Sequence, residues 1–387
     1  MNQVISTEKV PIKIWADYVE DSALEQAYNL ANLPFVYKHV ALMPDVHAGK
    51  GMPIGGVLAT KRVVIPNAVG VDIGCGVCFL STNIKAIEAP LAEIRNGIKK
   101  NIPVGFGRHP VMMPENVMPP GRMPDPKLYP IAAREYQNAR QSIGTLGGGN
   151  HFIELQVDEE GYLCLMIHSG SRNLGLKVAE FYHETAKKLN NHWHSAIPAG
   201  SGLNFLPADS IEGVSYIREM NYCVDFALKN REMMIETIKL IITDHCPGVS
   251  FSDPINIAHN YARLESHFGE DVWVHRKGAT YARYGVIGII PGSMGSSSFI
   301  VCGKGNPESF ESCSHGAGRL MSRAGAKKNL DLEAEQGKMD GILHDLDSQN
   351  KLDEAPGAYK NINNVMSNQE DLVKILKELK PIAVVKG

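Results

Sequence analysis

The apolar positions of this chain repeat with two periods. Runs rich in β-branched and aromatic residues predict strands over Phe35–Leu42, Gly56–Val64, Val77–Thr82 and His151–Gln156. Further strands are expected over Tyr162–His168, Asp271–His275, Val286–Ile290 and Phe299–Cys302. Val286–Ile290 lacks polar alternation, as expected of a strand covered on both faces. Between Val214 and Ile242 the spacing changes. Ile217, Val224, Leu228, Ile235, Ile238 and Ile242 fall on one helical stripe, with charges between them. A second helix is expected over Leu174–Leu189. Leu372, Ile375, Leu376 and Leu379 suggest a short third one. Phe106–Pro126, where Met and Pro interleave, reads as a long irregular loop whose methionines fill apolar gaps. No internal repeat or low-complexity linker divides the chain. The expectation is therefore an α+β fold: a single large mixed domain over residues 1–387, with a central β-sheet core and surrounding helices.

Composition narrows the classes. With 387 residues, 44% hydrophobic and 21% charged, the chain is ordinary globular material. Nothing approaches the ~18 apolar residues of a membrane span, so no membrane association is expected. Met1–Val10 is polar and lacks the apolar core of a secretory signal, which points to the cytoplasm. The seven cysteines follow no framework spacing and read as reduced thiols. A net charge of −3 gives no general affinity for nucleic acid, so an RNA or DNA substrate would need a local patch.

The chemistry gathers where glycine-rich segments meet strand ends. Asp45 and His47 lie in Met-Pro-Asp-Val-His-Ala-Gly. Asp72 and Cys75 lie in Asp-Ile-Gly-Cys-Gly. Asn150 and His151 follow Gly-Gly-Gly, and His168 opens His-Ser-Gly-Ser-Arg. Asp72 and Cys75, in a turn relaxed by Gly74 and Gly76, can aim carboxylate and thiolate at one point. Histidines from other strand ends can complete a transition-metal site, and two ions could share the thiolate. For His151, His168 and His259 the residues alone leave ligand and ordinary buried histidine open, as they do for His47 and His275. His183, His192, His194, His245 and His344 read as ordinary histidines, and Cys78 as simply buried. Pro291–Ser298 and His315–Arg319 are small-residue loops whose backbone N–H groups could cradle phosphate. A histidine leading Gly-Ala-Gly stands where an imidazole nucleophile would face that phosphate. Lys338-Met-Asp-Gly341 matches the short signature of lysine-nucleotide ligases, but its charged, helix-like surroundings do not suit a buried nucleophile.

Taken in order, these strings resemble the RtcB family of RNA ligases nearly end to end. They run from Met43-Pro-Asp-Val-His through Asp72-Ile-Gly-Cys-Gly, Gly147–Glu154, His168–Arg172, His259-Asn260, Pro291-Gly-Ser-Met-Gly and His315–Arg319 to Ala355–Lys360 and Val385-Lys-Gly387. The resemblance implies a GTP-dependent ligase with two Mn²⁺ ions, acting on RNA with 2′,3′-cyclic phosphate or 3′-phosphate ends and 5′-hydroxyl ends. His315 would carry GMP and Asp45 would orient it. Cys75 would bridge the ions, one also held by Asp72 and His151, the other by His168 and His259. Asn150, His151, Phe152, Ile153, Glu154, His259, Asn260, Pro291, Gly292, Ser293, Met294, Ser298, His315, Gly316, Ala317, Gly318 and Lys386 match nucleotide contacts, and Tyr359 would add a wall. Arg172 and Arg319 are expected on RNA phosphates. The resemblance leaves room for an activating protein partner. Donor softness alone would favour zinc, so manganese comes from the resemblance. The alternatives are a di-metal RNA-end phosphoesterase, a 3′-end guanylyltransferase that does not seal, and an RNA-end-binding protein with a structural metal.

Overall fold

The computed structural model describes residues 1–198 and 200–387. Two sheets organise a mixed α+β domain. The first has six strands, in the order Gln3–Ile5, Ile12–Ile14, Val36–His47, Ile54–Thr60, Glu270–Lys277, Asn260–His267. The second has seven, in the order Ile255–Ala258, Gly76–Lys85, Tyr162–Ser169, Phe152–Asp158, Val373–Lys386, Ser298–Gly303, Ile287–Ile290. Pairing is antiparallel except where Ile12–Ile14 runs parallel to Val36–His47.

Side-chain alternation sorts each strand between two environments. In Tyr162–Ser169, Leu163, Leu165 and Ile167 face the long helix Ile211–His245 and meet its Ile235, Ile238 and Ile242. Cys164 and Met166 point the other way, into a cluster with Val77, Phe79, Phe152, Ile289 and Ile300. The seven-stranded sheet curls around that second cluster, bringing Ile287–Ile290 against Ile255–Ala258 and Gly76–Lys85. Outside the curl, Ile290, Phe299 and Val301 pack on Met43, Val57 and Val274 of the six-stranded sheet. The far face of that sheet is covered by the helix Asp21–Ala31.

Most expected strands form at or near their expected limits, and both longer helices form, as Ile211–His245 and Asn173–His192. The segment Phe106–Pro126 holds turns and one short 3₁₀ helix at Glu115–Val117 but no strand or α-helix, and Met118 is buried within it. The expected helix at Leu372–Leu379 is instead part of the strand Val373–Lys386. Its first residues fit both periods, but the chain then runs into Pro-Ile-Ala-Val-Val, which suits a strand. It is paired on both sides, to Ser298–Gly303 and to Phe152–Asp158. The ladder slips between Pro381 and Ala383, where proline has no N–H to give. Ile375 and Leu376 consequently face outward.

Candidate active site and metal centre

The strand register brings the ligand candidates to one end of the curled sheet. Gly76 pairs with Ser169 and with Ala258, and His168 pairs with both Val77 and Phe152. Cys75 therefore precedes one strand, His151 precedes its near neighbour, His168 nearly ends a third, and His259 follows a fourth. His259 is also the single residue between Ile255–Ala258 in one sheet and Asn260–His267 in the other.

Cys75 sits at the centre. Its Sγ lies 3.2 Å from His168 Nε2 and 3.6 Å from His151 Nε2. His151 Nε2 is 3.2 Å from Asp72 Oδ2, and His168 Nε2 is 3.4 Å from His259 Nε2. Two overlapping triads result, Asp72–Cys75–His151 and Cys75–His168–His259, with Cys75 common to both. Burial lowers the pKa of His168 and His259 well below the ordinary range, which keeps their imidazoles neutral, as ligation requires. His168 Nδ1 lies 3.0 Å from the Asn150 carbonyl, so the tautomer that donates there leaves Nε2 free for a metal. Burial first, and then Asp72, push the Cys75 thiol well above its usual value. A thiol so placed becomes a thiolate only beside a cation, and one thiolate, three imidazoles and a carboxylate suit divalent transition metals. The residues thus fit a pair of metal ions.

Two glycines are required by close approach. Gly147 (φ +95°) has no room for a side chain against His151 Nδ1 and the Arg172 guanidinium. Gly318 (φ +73°) lies directly on the backbone of Asp45. Asp45 is fully buried behind His315. Its Oδ2 accepts from the His315 backbone N–H at 3.0 Å and lies 2.6 Å from His315 Nδ1. Burial would raise the Asp45 pKa, but the charge and hydrogen bonds of His315 outweigh it and lower the value. The His315 ring meets that of His259 at 4.7 Å between centroids, so it borders the second triad.

Asp72, Cys75, His168, His259 and His315 open on a cavity of about 560 Å³, while Asp45 and His151 lie behind its wall. Asn150, Phe152, Glu154, Asn260, the Pro291–Met294 loop, the His315–Gly318 loop, Tyr359 and Lys386 line it. Burial pushes the Glu154 carboxyl up to about 7, despite a hydrogen bond from Gln156 and the charge of Lys386. Lys386 Nζ donates to Glu354 at 3.2 Å.

Several expectations change. Ile153 faces the helix side of the sheet and is absent from the cavity wall. Ser298 lies behind the wall, where its hydroxyl accepts from Gly292 N at 3.1 Å and Gln156 Nε2 at 3.2 Å. Ser296 caps the Ser293 N–H at 2.7 Å, so the first amides of the Pro291 loop are already occupied. The N–H groups of Gly316, Ala317 and Gly318, by contrast, donate no hydrogen bond among the described residues. Arg172 and Arg319 have internal duties. Arg172 donates to Thr145 Oγ1 at 2.8 Å and to the Gly105 carbonyl at 2.7 Å. Arg319 is bound by Glu354, Met321 O and Asp353 O, against the Tyr359 ring. Of the two undecided histidines, His275 is buried and accepts from Ile65 N, a structural role, while His47 lines the cavity. Lys338 is half-exposed and paired with Glu335, and does not line the cavity.

Sequence reasoning missed the braces. Asn230 and Arg231, both fully buried in the helix Ile211–His245, hold the ligand-bearing segments from behind. Asn230 accepts from Gly144 N and Thr145 N and donates to Thr145 O, Ser169 Oγ and Gly170 O. Arg231 donates to Gly74 O, Ser169 O, Ile257 O and Asn256 Oδ1. Apart from Gly144 and Thr145, each of those residues is within two positions of a triad member or in the strand that leads to one. The available signal was position: Arg231 falls on the apolar stripe, three residues after Leu228 and four before Ile235. Lys360 is a further brace: its Nζ donates to the carbonyls of Pro44 and Val46, on either side of Asp45.

The curled sheet thus carries a cysteine shared by two triads that could hold metal ions, beside a carboxylate-anchored histidine. A family model described as tRNA-splicing ligase RtcB matches residues 26–387. The chain is 40% identical to the RNA-splicing ligase RtcB of Escherichia coli K12, covering 100% of this chain and 99% of that one. It is 31% identical to the tRNA-splicing ligase RtcB of Thermococcus kodakarensis, over 98% and 95% of the two chains. With RNA-splicing ligase RtcB homolog 1 of Entamoeba histolytica the identity is 32%, over 95% and 84%. The chain belongs to the RtcB family.

Proposed function

We propose that this protein is a GTP-dependent RNA ligase that joins 2′,3′-cyclic phosphate or 3′-phosphate ends to 5′-hydroxyl ends. The observation that carries the reading is the 2.6 Å contact between His315 Nδ1 and Asp45 Oδ2. The carboxylate holds the proton on Nδ1 and leaves the Nε2 lone pair free as nucleophile. Nε2 attacks the α-phosphorus of GTP, the bond to pyrophosphate breaks, and GMP remains on His315 as a phosphoramidate. A cyclic RNA end is opened by water to a 3′-phosphate, which takes GMP from His315. The 5′-hydroxyl oxygen then attacks that phosphate and GMP leaves.

The free amides of Gly316–Gly318 are placed to bind phosphate oxygens next to the nucleophile. Phe152, Met294 and Tyr359 offer apolar walls for a planar base, and Glu154 and Lys386 offer an acceptor and a donor for guanine edges. Mn²⁺ bound by Asp72, Cys75 and His151 and by Cys75, His168 and His259 would neutralise phosphate charge during transfer. No helix among the described residues is long and apolar enough to cross a membrane, and the free cysteines fit the cytoplasm.

Incubation with α-labelled GTP and Mn²⁺ should tag the parent and Lys338→Ala but not His315→Ala. Label on His315→Ala with none on Lys338→Ala would transfer the role to the lysine. Phosphate release from RNA ends with no joined product, under any nucleotide, would replace the ligase reading with a phosphoesterase.

A further inference from the structure

Phe106 is fully exposed, in a turn that is otherwise tightly held. Gly107 N donates to Val104 O at 2.9 Å, closing the turn. Gly105 N donates to Gly147 O at 2.8 Å, and Gly105 O accepts from Arg172 at 2.7 Å. On either side, Leu146 N donates to Pro103 O and His109 N to Gln141 O. These anchors fix the backbone so that the Phe106 side chain leaves the turn on its solvent side. The turn also abuts Gly148, three residues before His151 of the first triad.

Two residues beyond, Arg108 is exposed and donates to Asn138 Oδ1 at 3.2 Å. It lies near enough to Arg172 that the two cations repel. Burial lowers the Arg172 pKa, Asp72 opposes this, and Arg108 adds to the lowering. Glu135 shares the recess, but Asn138 and Arg134 hold its carboxylate. An outward aromatic ring beside an exposed guanidinium is a combination that binds single-stranded nucleic acid, by base stacking and phosphate contact.

We propose that the turn Val104–Arg108 is the docking platform for the single-stranded RNA end. A base close to the reacting phosphate stacks on Phe106, and Arg108 meets the adjoining backbone phosphate. The proposal rests on the ligase reading for its substrate and adds where, and by what contact, the strand is held outside the cavity. It also meets the charge problem: a chain of net charge −3 needs a local grip on RNA.

The test uses the full chain with Mn²⁺ and GTP. The probe is a short single-stranded RNA bearing 2-aminopurine beside a 2′,3′-cyclic phosphate end. Stacking on Phe106 should quench the probe on binding. Phe106→Ala should abolish the quench and raise KM for RNA about 10-fold, with kcat nearly kept, and Phe106→Trp should restore both. Arg108→Ala should flatten the salt dependence of KM. GMP transfer from GTP to His315, which needs no RNA, should be the same in all of them. An unchanged quench and KM in Phe106→Ala overturns the platform, as does an effect only on activation by an added protein partner. Failure of the parent to take GMP would sink the ligase reading instead, while the quench would still report on Phe106.

Discussion

Arg231→Met keeps the length of the side chain and removes the guanidinium that ties Gly74, Ser169, Asn256 and Ile257 together. Hydrogen bonds from a charged donor contribute roughly 1.5–3 kcal/mol each, and a buried acceptor left bare costs about 1–3 kcal/mol. Summing all four would overcount, because the group is already desolvated and burial pulls its pKa down to about 10. No unpaired charge is left behind, so the net loss is set by the bared acceptors, at roughly 3 kcal/mol. That is a large part of ordinary domain stability but leaves a folded protein. The site should lose more than the fold. The segments carrying Cys75, His168 and His259 would relax independently, and losing such outer support typically costs 10–100-fold in metal affinity. The assay is GMP transfer to His315 titrated with Mn²⁺, run beside thermal melts with and without the ion. The expected result is a lowered melting point, a metal midpoint shifted upward at least about 10-fold, and activity recovered at high metal. Arg231→Lys should fall between, since one ammonium cannot span four acceptors. A melt that drops while the metal midpoint stays at the parent value would refute the coupling of brace to metal.

Other consequences follow from single contacts. Asp45→Asn should lower GMP transfer about 10²–10⁴-fold with metal binding kept, because the amide no longer enforces the Nδ1–H tautomer; single-turnover labelling reads it. Glu154→Gln tests guanine recognition. Burial lifts Glu154 to about 7, so GTP binding should tighten as pH rises through that value and the carboxylate forms, and in the variant this pH dependence of KM should vanish. Glu265 is bound by Arg276 at 2.6 and 2.9 Å and by His267. Burial would raise its pKa, but Arg276 and His267 hold it far below the ordinary 4.5. Its stabilisation is therefore complete above about 4.5 and is lost as pH falls toward the folded value. Urea melts of Glu265→Gln should start roughly 3–5 kcal/mol weaker at neutral pH and lose less than the parent below pH ~4. Lys360→Met should slow GMP transfer while leaving Mn²⁺ binding intact, since it supports Asp45 rather than a triad; equal loss of both would argue for general unfolding.

What was legible in the sequence was what local pattern controls. Alternation in Tyr162–Ser169 and the stripe along Ile211–His245 reflect their burial, so period and position agree there. The segment after Leu372 was misread because four leucines and isoleucines satisfy both periods over so short a span, and only long-range pairing decides between them. The triad residues stood out because donor side chains in glycine-rich strand ends are chemically conspicuous. Their convergence is a matter of register, of Gly76 facing both Ser169 and Ala258, and no one-dimensional pattern carries that. The same limit explains Ile153, whose parity turns it to the helix side although its neighbours Phe152 and Glu154 face the cavity. It also explains Arg172 and Arg319, whose type suggested phosphate while the fold engages their donors internally. Arg231 went unseen for the opposite reason: in a long charged helix, one more cation looks like solvent-facing surface.

The position of Val373–Lys386 between Phe152–Asp158 and Ser298–Gly303 bears on how the protein is born. Every other strand of that sheet precedes it in the chain. During synthesis the sheet must wait as two halves, each with a raw hydrogen-bonding edge, until residues 373–386 arrive to zip them. Exposed edges of this kind invite pairing with other nascent chains. Yield in the cell should accordingly depend on how quickly translation delivers those last residues, and slow codons shortly before 373 should favour aggregates of a sequence whose finished fold is unchanged.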